Sequence, residues 1–251
     1  MASGYGTLAP QQLDMSPAIQ CLNQLDKVEV REKASVIESL TAILGQEVEM
    51  ANRYQVFADD GREIFYAVEE TSFCTRQAKQ CCPDCVPWSV TILYTEGGHG
   101  ERALELKRPC TLTCCCFNRP VAHVIDVATQ QPLGSLQDPC ACCDLTFSLK
   151  DASDQELLYA RGGCCQWGMC CPCPCGPCSR VQFPVDDARS GKRVAHLQKQ
   201  VPNCCKFLFA SDVDNYKLDF GGVTDPKEKA LLLALSIFVD FRYFSDNKAD
   251  D

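Results

Sequence analysis

Cysteine is the residue type in this sequence that could carry the most chemistry, and it accounts for 21 of 251 residues. Three are adjacent, Cys114, Cys115 and Cys116, and Phe117 follows them. They cannot all point inward from a strand, because successive strand residues face opposite sides. Cysteines in an exposed loop are acceptors for reversible S-acylation, and several acyl chains anchor a protein stably where one does not. This segment therefore predicts lipidation.

A second cysteine group, CCQWGMCCPCPCGPC, holds seven cysteines from Cys164 to Cys178 with prolines between them. Zinc sites built from thiolates use CxxC pairs. Cys175 and Cys178 form one such pair, and Cys82 and Cys85 form another. In a chain this rich in cysteine such pairs also arise by chance, so a zinc site and further acylation both remain open interpretations.

The redox state of these cysteines depends on the compartment. The first thirty residues have neither a basic n-region nor an apolar h-region, which predicts that there is no secretory signal. In a reducing cytosol the cysteines are thiols, acylation sites or metal ligands and not a disulfide framework.

An acidic turn, Asp212-Val213-Asp214-Asn215, comes before a short alternating segment. Calcium takes six to eight oxygen ligands, several of them carboxylates. Lys217 stands where an EF-hand requires glycine, and no bidentate glutamate follows, so the segment is not an EF-hand. Taken alone, the residues favour an Asp/Asn turn that opens a hairpin over a calcium site.

Other kinds of chemistry have little support. The net charge of −9 argues against nucleic acid as a direct partner, because phosphate binding needs a basic surface. The three histidines, His99, His123 and His196, are far apart in the sequence and lie beside no nucleophile motif. A glycine-rich phosphate loop is also absent from the sequence. These features predict a protein without a catalytic site.

The most apolar element runs from Ala230 to Val239, with Ser236 as its only polar residue. Asp225 fits the N-cap, Pro226 the first helical position, and Glu228 completes a capping box. Ten helical residues rise about 15 Å, half of the roughly 30 Å of a bilayer core. We therefore predict a helix buried within protein, with a single membrane span as the alternative.

Strand patterns fill the region between residues 54 and 220, after a predicted surface helix at Glu32–Leu44. Six successive hairpins give twelve strands. Closure of these strands into a barrel would leave no free edges. A twelve-stranded barrel has a lumen too wide for the strand side chains alone to fill. The predicted fold is mainly β, a twelve-stranded antiparallel closed barrel around the buried C-terminal helix. Its strands are Tyr54–Phe57, Glu63–Val68, Ser89–Tyr94, Arg102–Leu106, Val121–Val127, Leu133–Leu136, Leu145–Leu149, Glu156–Ala160, Val181–Val185, Arg193–Gln198, Phe207–Ala210 and Tyr216–Phe220.

Several of these motifs occur together, in the same order, in the phospholipid scramblase family, which this sequence resembles. The resemblance rests on Asn52-Arg53-Tyr54, Gly61–Glu69, Cys74-Thr75-Arg76, Leu104–Pro109 with Cys114–Cys116, Asp212–Asn215, and the helix that ends in Phe238-Val239-Asp240-Phe241. It extends from about Cys21 to Ser245. It implies one tubby-like barrel domain over residues 21–245, between a short flexible tail at 1–20 and an acidic tail at 246–251.

The resemblance also implies calcium-dependent, ATP-independent, bidirectional movement of phospholipids between leaflets. Calcium would be held by Asp212, Asp214 and Asp219 with the backbone carbonyls of Tyr216 and Leu218. The expected acidic ligand at the twelfth position is replaced by Val223, so calcium binding should be weak. The implied location is the cytoplasmic face of the plasma membrane, held by acylation, an anionic lipid surface and the C-terminal helix, with some nuclear or cytosolic protein.

A basic stretch, GKRVAHLQKQ, resembles the family's nuclear localisation segment and would need an import receptor. Its three basic residues, Lys192, Arg193 and Lys199, are better explained by a solvated strand face. The family's proline-rich N-terminal region is missing, so its SH3 or WW partners are not expected here. Translocation past a filled barrel would need a homo-oligomer or release of the helix. The rival functions are an acylated lipid-binding adaptor and a zinc or redox sensor.

Overall fold

A closed barrel surrounds one helix in the computed structural model, which describes residues 15–32, 49–71, 85–96, 100–113, 117–141, 144–171, 173, 175–200 and 215–244. The helices are α1 (Pro17–Asn23), α2 (Trp167–Cys170) and α3 (Pro226–Tyr243), with a 3-10 turn at Gly176–Ser179. The strands are β1 (Lys27–Glu32), β2 (Glu49–Ala58), β3 (Glu63–Thr71), β4 (Trp88–Tyr94), β5 (Glu101–Arg108), β6 (Val121–Asp126), β7 (Gln131–Gln137), β8 (Asp144–Asp151), β9 (Glu156–Gly163), β10 (Arg180–Asp187), β11 (Arg193–Gln200) and β12 (Asn215–Asp219).

The barrel is antiparallel throughout and follows sequence order from β2 to β12. β1 closes it by pairing with β2 on one side and β12 on the other, with Val30 opposite Val56 and opposite Tyr216. Alternation sets the inner face: in β1 Val28 and Val30 are buried while Lys27 is exposed. A closed sheet leaves no edge strand exposed to aggregation, which explains why twelve short strands are stable together.

Helix α3 fills the barrel, as the sequence predicted. Its Asp225 side chain caps the N-terminus by accepting from the backbone N–H of Lys227 at 2.9 Å, and Pro226 occupies the first turn. Every residue from Lys229 to Asp240 is buried. Within the described residues, no helix combines the length and apolar character needed to cross a membrane.

The N-terminal region corrects part of the predicted topology. The predicted last hairpin, Phe207–Ala210 with Tyr216–Phe220, is wrong because β12 pairs with β11 and β1 on its two sides. Residues 207–210 themselves lie outside the described residues. Strand β1 was not predicted, and it includes Glu32, where the surface helix was expected to begin; the rest of that helix lies outside the described residues.

Helix α1 lies across the predicted domain boundary at Cys21. Ala18, Ile19 and Leu22 of this helix are buried in the barrel core. Lys229 of α3 donates to the carbonyl oxygen of Leu25, just after the helix, at 2.7 Å. The folded domain therefore begins before Cys21. Residues 1–14 and 245–251, which contain most of both predicted tails, lie outside the described residues.

The two ends of the barrel differ in their connections. One end, here called the turn end, carries the short hairpin turns at 59–62, 95–100, 127–130, 152–155 and 188–192, together with α1 and the start of α3. The other end receives the connections at 33–48, 72–87, 109–120, 138–143, 164–179 and 201–214, five of which have twelve or more residues, and α3 ends there. Since every cysteine except Cys21 belongs to one of these connections in the sequence, we call this the cysteine-rich end.

Candidate functional site

The cysteine-rich end gathers the predicted chemistry because antiparallel strands return to it after every hairpin. The connection that contains Cys114–Cys116 leaves β5 and enters β6 there. The cysteine group between β9 and β10 lies at the same end, where β11 ends at Gln200 and β12 begins at Asn215. Residues 212–214 of the acidic turn lie outside the described residues.

The predicted lipidation segment is held closed by its flanking residues. Thr113 donates its hydroxyl to the carbonyl oxygen of Asn118 at 3.1 Å. Next to this closure Leu112 and Phe117 are 71% and 75% exposed, an unusual state for large apolar side chains. Cys114, Cys115 and Cys116 themselves lie outside the described residues. The described parts of the segment thus present apolar surface on both sides of the three thiols.

A buried carboxylate, Asp138, joins this segment to the end of helix α3. Arg119 donates to its Oδ2 at 2.6 Å, and Arg242 of α3 donates to the same oxygen at 2.6 Å. The hydroxyl of Tyr243 is 3.4 Å from the other oxygen. This carboxylate is almost fully buried, so removing either arginine would leave charge poorly compensated. We call these four residues the Asp138 clasp.

A second buried carboxylate, Asp240, lies one helical turn deeper in the barrel. The hydroxyls of Tyr54 and Tyr216 each donate to it at 2.6 Å, and Lys199 Nζ is 3.8 Å from its Oδ1. Burial, followed by the charge of Asp240, raises the pKa of Tyr54 well above its usual range. These bonds hold the polar end of α3 inside an otherwise apolar barrel.

The connection between β9 and β10 forms a small lobe, residues 164–179, that contains α2 and the 3-10 turn. Cys173 and Cys175 lie 3.3 Å apart at sulfur, and their hydrogen bond raises the pKa of Cys175. Cys178 is half-buried, as is Cys85. Cys82 lies outside the described residues, and in the part of the chain that is described no three His, Cys, Asp or Glu side chains are grouped to hold a metal ion. Zinc at these cysteines stays a prediction.

The residues predicted to bind calcium do not come together in the described structure. Asp212 and Asp214 lie outside the described residues. Tyr216 and Leu218 point into the barrel, and their carbonyls lie in a strand paired on both sides, where ladder hydrogen bonds engage them. Asp219 points outward at the turn end and pairs with Lys27 at 3.2 Å.

Asp219 lies four residues, roughly 13 Å, along β12 from Asn215. Because Asp212 and Asp214 lie outside the described residues, a calcium ion shared by these three carboxylates stays a prediction.

The basic stretch is not one surface either. Arg193 is exposed and pairs with Asp186 at 3.4 Å, and Lys192 is exposed beside it in the turn. Lys199 is buried, with its ammonium 3.7 Å from the ring centre of Phe244 and close to Asp240. The prediction of a solvated face is wrong for Lys199, because the alternation of β11 turns this side chain into the barrel.

Sequence reasoning missed the two buried carboxylates as organising residues. Asp240 had a signal, since an acid within an apolar helix must find partners when buried. Asp138 had no such signal in the sequence, because it follows a strand in a polar stretch. Its partners Arg119 and Arg242 come from other elements.

Comparison with known proteins assigns a family to this arrangement. A family model described as Scramblase matches residues 7–246. The chain is 28% identical over 236 residues to phospholipid scramblase 1 of Rattus norvegicus, covering 94% of this chain and 64% of that protein.

Two further relatives have similar coverage. Phospholipid scramblase 2 of Bos taurus is 27% identical over 239 residues, or 95% of this chain and 75% of that protein. Phospholipid scramblase 2 of Homo sapiens is 24% identical over 236 residues, which cover 94% of this chain and 73% of that protein. No solved structure matches the chain significantly.

Proposed function

Because the chain belongs to the scramblase family, we propose that it moves phospholipids between the two leaflets of a membrane, in both directions and without ATP. The observation that carries the proposal is the match of this family over almost the whole chain, with relatives named phospholipid scramblases. The sequence has no glycine-rich phosphate loop, which is consistent with transport that is not driven by a nucleotide. It is a lipid translocator and not an enzyme with a catalytic site.

Membrane attachment in this proposal comes from S-acylation of Cys114, Cys115 and Cys116 on the cytoplasmic face of the plasma membrane. Support comes from the exposed Leu112 and Phe117 on either side, which add apolar contact where acyl chains would enter the bilayer. The closure between Thr113 and Asn118 keeps the segment short, so the acyl chains would hold the barrel close to the membrane.

Calcium would act through Asp212 and Asp214 in the connection between β11 and β12. An acidic segment at an end that faces anionic lipid is repelled until a cation neutralises it. Calcium binding would then allow this end to approach the headgroups. With Val223 in place of an acid, the protein supplies few carboxylates even when Asp219 takes part, so lipid phosphates would have to complete the coordination.

The Asp138 clasp gives the proposed mechanism a physical link. It connects Arg119, three residues after the acylated cysteines, to Arg242 and Tyr243 at the end of α3. A pull on the acylated segment would be transmitted to the end of the helix. Rearrangement of α3, or association of several barrels, would then open a path for a headgroup.

A second function is favoured by one observation, the filling of the barrel by α3. A filled barrel suits an acylated adaptor that binds lipid and signals, with no translocation of its own. In this alternative the protein binds membranes in the same orientation, and the clasp stays closed.

Reconstitution separates the two functions. Purified protein is inserted into vesicles whose inner and outer leaflets contain a fluorescent phospholipid, and the fraction accessible to an impermeant reductant is followed with and without calcium. Scrambling exposes nearly all of the label in the presence of calcium, whereas an adaptor leaves the inner leaflet protected. The matched control is Asp212→Asn with Asp214→Asn, which should bind vesicles yet lose the calcium response.

A further inference from the structure

The lobe between β9 and β10 has a surface that a water-exposed segment rarely has. No charged residue occurs between Arg161 and Arg180 in the sequence. Trp167 on α2 is 66% exposed, and Cys165, Cys170, Cys171 and Cys175 of the same lobe are also exposed. An exposed tryptophan within a segment that has no charged residue points to an apolar contact partner.

The lobe is held firmly on the barrel. Gln166 donates its amide to the carbonyl oxygen of Gln182 at 2.8 Å and accepts from the N–H of the same residue at 2.7 Å. Gly168 lies so close to β10 that a Cβ at this position would be 2.2 Å from the carbonyl oxygen of Arg180. Trp167 and the thiols are thus presented from a fixed platform.

Two neighbouring connections also contain long uncharged stretches of sequence. The sequence has no charge from Pro109 to Asn118, between β5 and β6, or from Pro139 to Cys143, between β7 and β8. The three connections follow one another around the cysteine-rich end, because β5 to β10 are consecutive in the barrel. In contrast, the turn end exposes acids such as Asp59, Asp60 and Glu96.

A lipid bilayer matches this surface better than a protein partner does. Tryptophan is enriched at the level of the headgroups, and charged side chains are excluded from the hydrocarbon. Arg161 and Arg180 are exposed at the base of the lobe, where they would meet lipid phosphates. A recess of about 450 Å³ lies between Trp167, Pro177 and Arg180. Its apolar wall suits the acyl chain of a phospholipid, and the guanidinium of Arg180 suits the phosphate.

We propose that the lobe at 164–179 is a second membrane-contact and S-acylation site, separate from Cys114–Cys116, and that the barrel docks with its cysteine-rich end facing the bilayer. A fatty acyl thioester is the donor: a lobe sulfur bonds to the acyl carbonyl carbon and loses its proton, and the donor's carbon–sulfur bond breaks to release its own thiol. The inference shares with the proposed function only a location at membranes, and it requires no lipid translocation.

Tryptophan fluorescence tests the contact. Trp88 is buried, so Trp88→Phe leaves Trp167 as the only tryptophan. This unacylated variant is titrated with vesicles of phosphatidylcholine with a minority of phosphatidylserine, with and without lipids brominated near the headgroup. We expect a blue shift and quenching of Trp167. If Trp88→Phe folds poorly, the difference between wild type and Trp167→Phe gives the same signal.

A matched control places the tryptophan at the opposite end of the barrel. Ala128 is exposed in the β6–β7 turn, and Ala128→Trp in a background of Trp88→Phe and Trp167→Phe should show neither effect. An unshifted Trp167 at saturating lipid, or equal quenching at residue 128, would overturn the docking orientation.

Mass spectrometry of protein expressed in cells tests acylation. In a variant with Cys114, Cys115 and Cys116 changed to Ser, hydroxylamine-sensitive fatty acyl groups should persist within 164–179. A further change of Cys165, Cys170, Cys171 and Cys175 to Ser should lower the membrane-bound fraction several-fold more. Complete loss of acyl groups in the first variant would overturn the second acylation site, whatever the vesicle assay shows for scrambling.

Discussion

At the scale of single residues, Asp240 is a tightly held polar group of the described structure. It is fully buried and receives two phenol hydroxyls, with Lys199 close by. An isolated carboxylate is expensive to bury, and the two short hydrogen bonds offset much of that cost. Its partners on β2 and β12 are 186 and 24 positions away in the sequence. This separation is why its partners could not be predicted from the sequence.

Removal of one hydroxyl measures this constraint. Tyr216→Phe keeps the ring and deletes a donor to Asp240, so we expect the free energy of unfolding to fall by about 1–3 kcal/mol. Denaturant titration gives the change. In a cycle with Asp240→Asn the two effects should not be additive. Additive losses would contradict a direct interaction between the two side chains.

Cys21, the one cysteine at the turn end among the described residues, offers a test by pH. Burial, followed by the hydrogen bond from its thiol to Glu96, raises its pKa from 9.0 to about 11. The reactive thiolate at pH 8 is then about a hundredfold scarcer than in the unfolded chain. Iodoacetamide labelling resolved by mass spectrometry should show slow reaction at Cys21 that accelerates up to about pH 11.

The raised pKa of Cys21 also makes the stability of the folded protein depend on pH. A thiol whose pKa is raised on folding stabilises the native state fully below pH 9.0, and this contribution is lost as pH rises through about 11. Glu96→Gln should speed labelling at Cys21 and reduce this pH dependence. Equal labelling rates in the native and denatured protein would show that the thiol is unperturbed.

At the scale of elements, helix α3 carries the fold because it is the core of the barrel. Its cap at Asp225, its proline at the first position and its long apolar run were all readable in the sequence. The hairpins from β2 to β11 were also readable, because they alternate and turn locally. β1 has the alternating sequence KVEVRE, yet its partners β2 and β12 are remote, and local patterns do not show which strands close a barrel.

A charge inside α3 should therefore unfold the protein. Leu233→Arg places an unpaired charge at a position with no exposure, and the loss should be several kcal/mol. Circular dichroism and melting would show an unfolded or aggregated chain. Arg242→Lys, near the helix end, serves as a control with a modest effect, since it keeps the charge but loses the geometry of the guanidinium.

Deletion of residues 226–251 removes the core entirely. We expect the remaining chain to lose its cooperative melting transition and to become sensitive to protease from β2 onward. A truncated chain that melts cooperatively would contradict the role of α3 as the barrel's core.

The Asp138 clasp links two elements, so its removal should loosen both. Asp138→Asn leaves Arg119 and Arg242 without their shared carboxylate, and it should cost about 3–5 kcal/mol if both stay buried, less if they turn outward. Limited proteolysis should cut faster near residues 113–120 and after Tyr243. Protection at both places, equal to wild type, would show that the clasp does not couple them.

At the scale of the whole molecule, the barrel is polarised. Hairpin turns of four to six residues and α1 occupy one end, and the cysteine-rich connections belong to the other. This division could be foreseen from the lengths of the connections once the strands were paired. The chemistry of the calcium segment could not, because its two central carboxylates belong to a connection whose geometry no local pattern specifies.

The difference between the two ends of the barrel predicts which cysteines determine where the protein is located in cells. Replacing Cys114, Cys115 and Cys116 with Ala should shift the protein from the membrane fraction toward the cytosol or nucleus. Cys21→Ala, at the turn end, is the matched control and should leave fractionation unchanged. Equal membrane fractions for the triple variant and wild type would show that this segment is not the main membrane anchor.

The place of α3 after every strand also has a consequence for biosynthesis. The ribosome completes β1 about 200 residues before it reaches the helix that fills the barrel. At about 5–20 residues per second, the inner faces of the strands wait roughly 10–40 s for their core. During that interval a growing chain displays unpaired edges, apolar inner faces and unmodified thiols. The newly made protein should consequently depend on a chaperone that binds β-rich intermediates. The barrel can close only after the helix has been made, so acyltransferases would meet the cysteines of a folded protein only after that point.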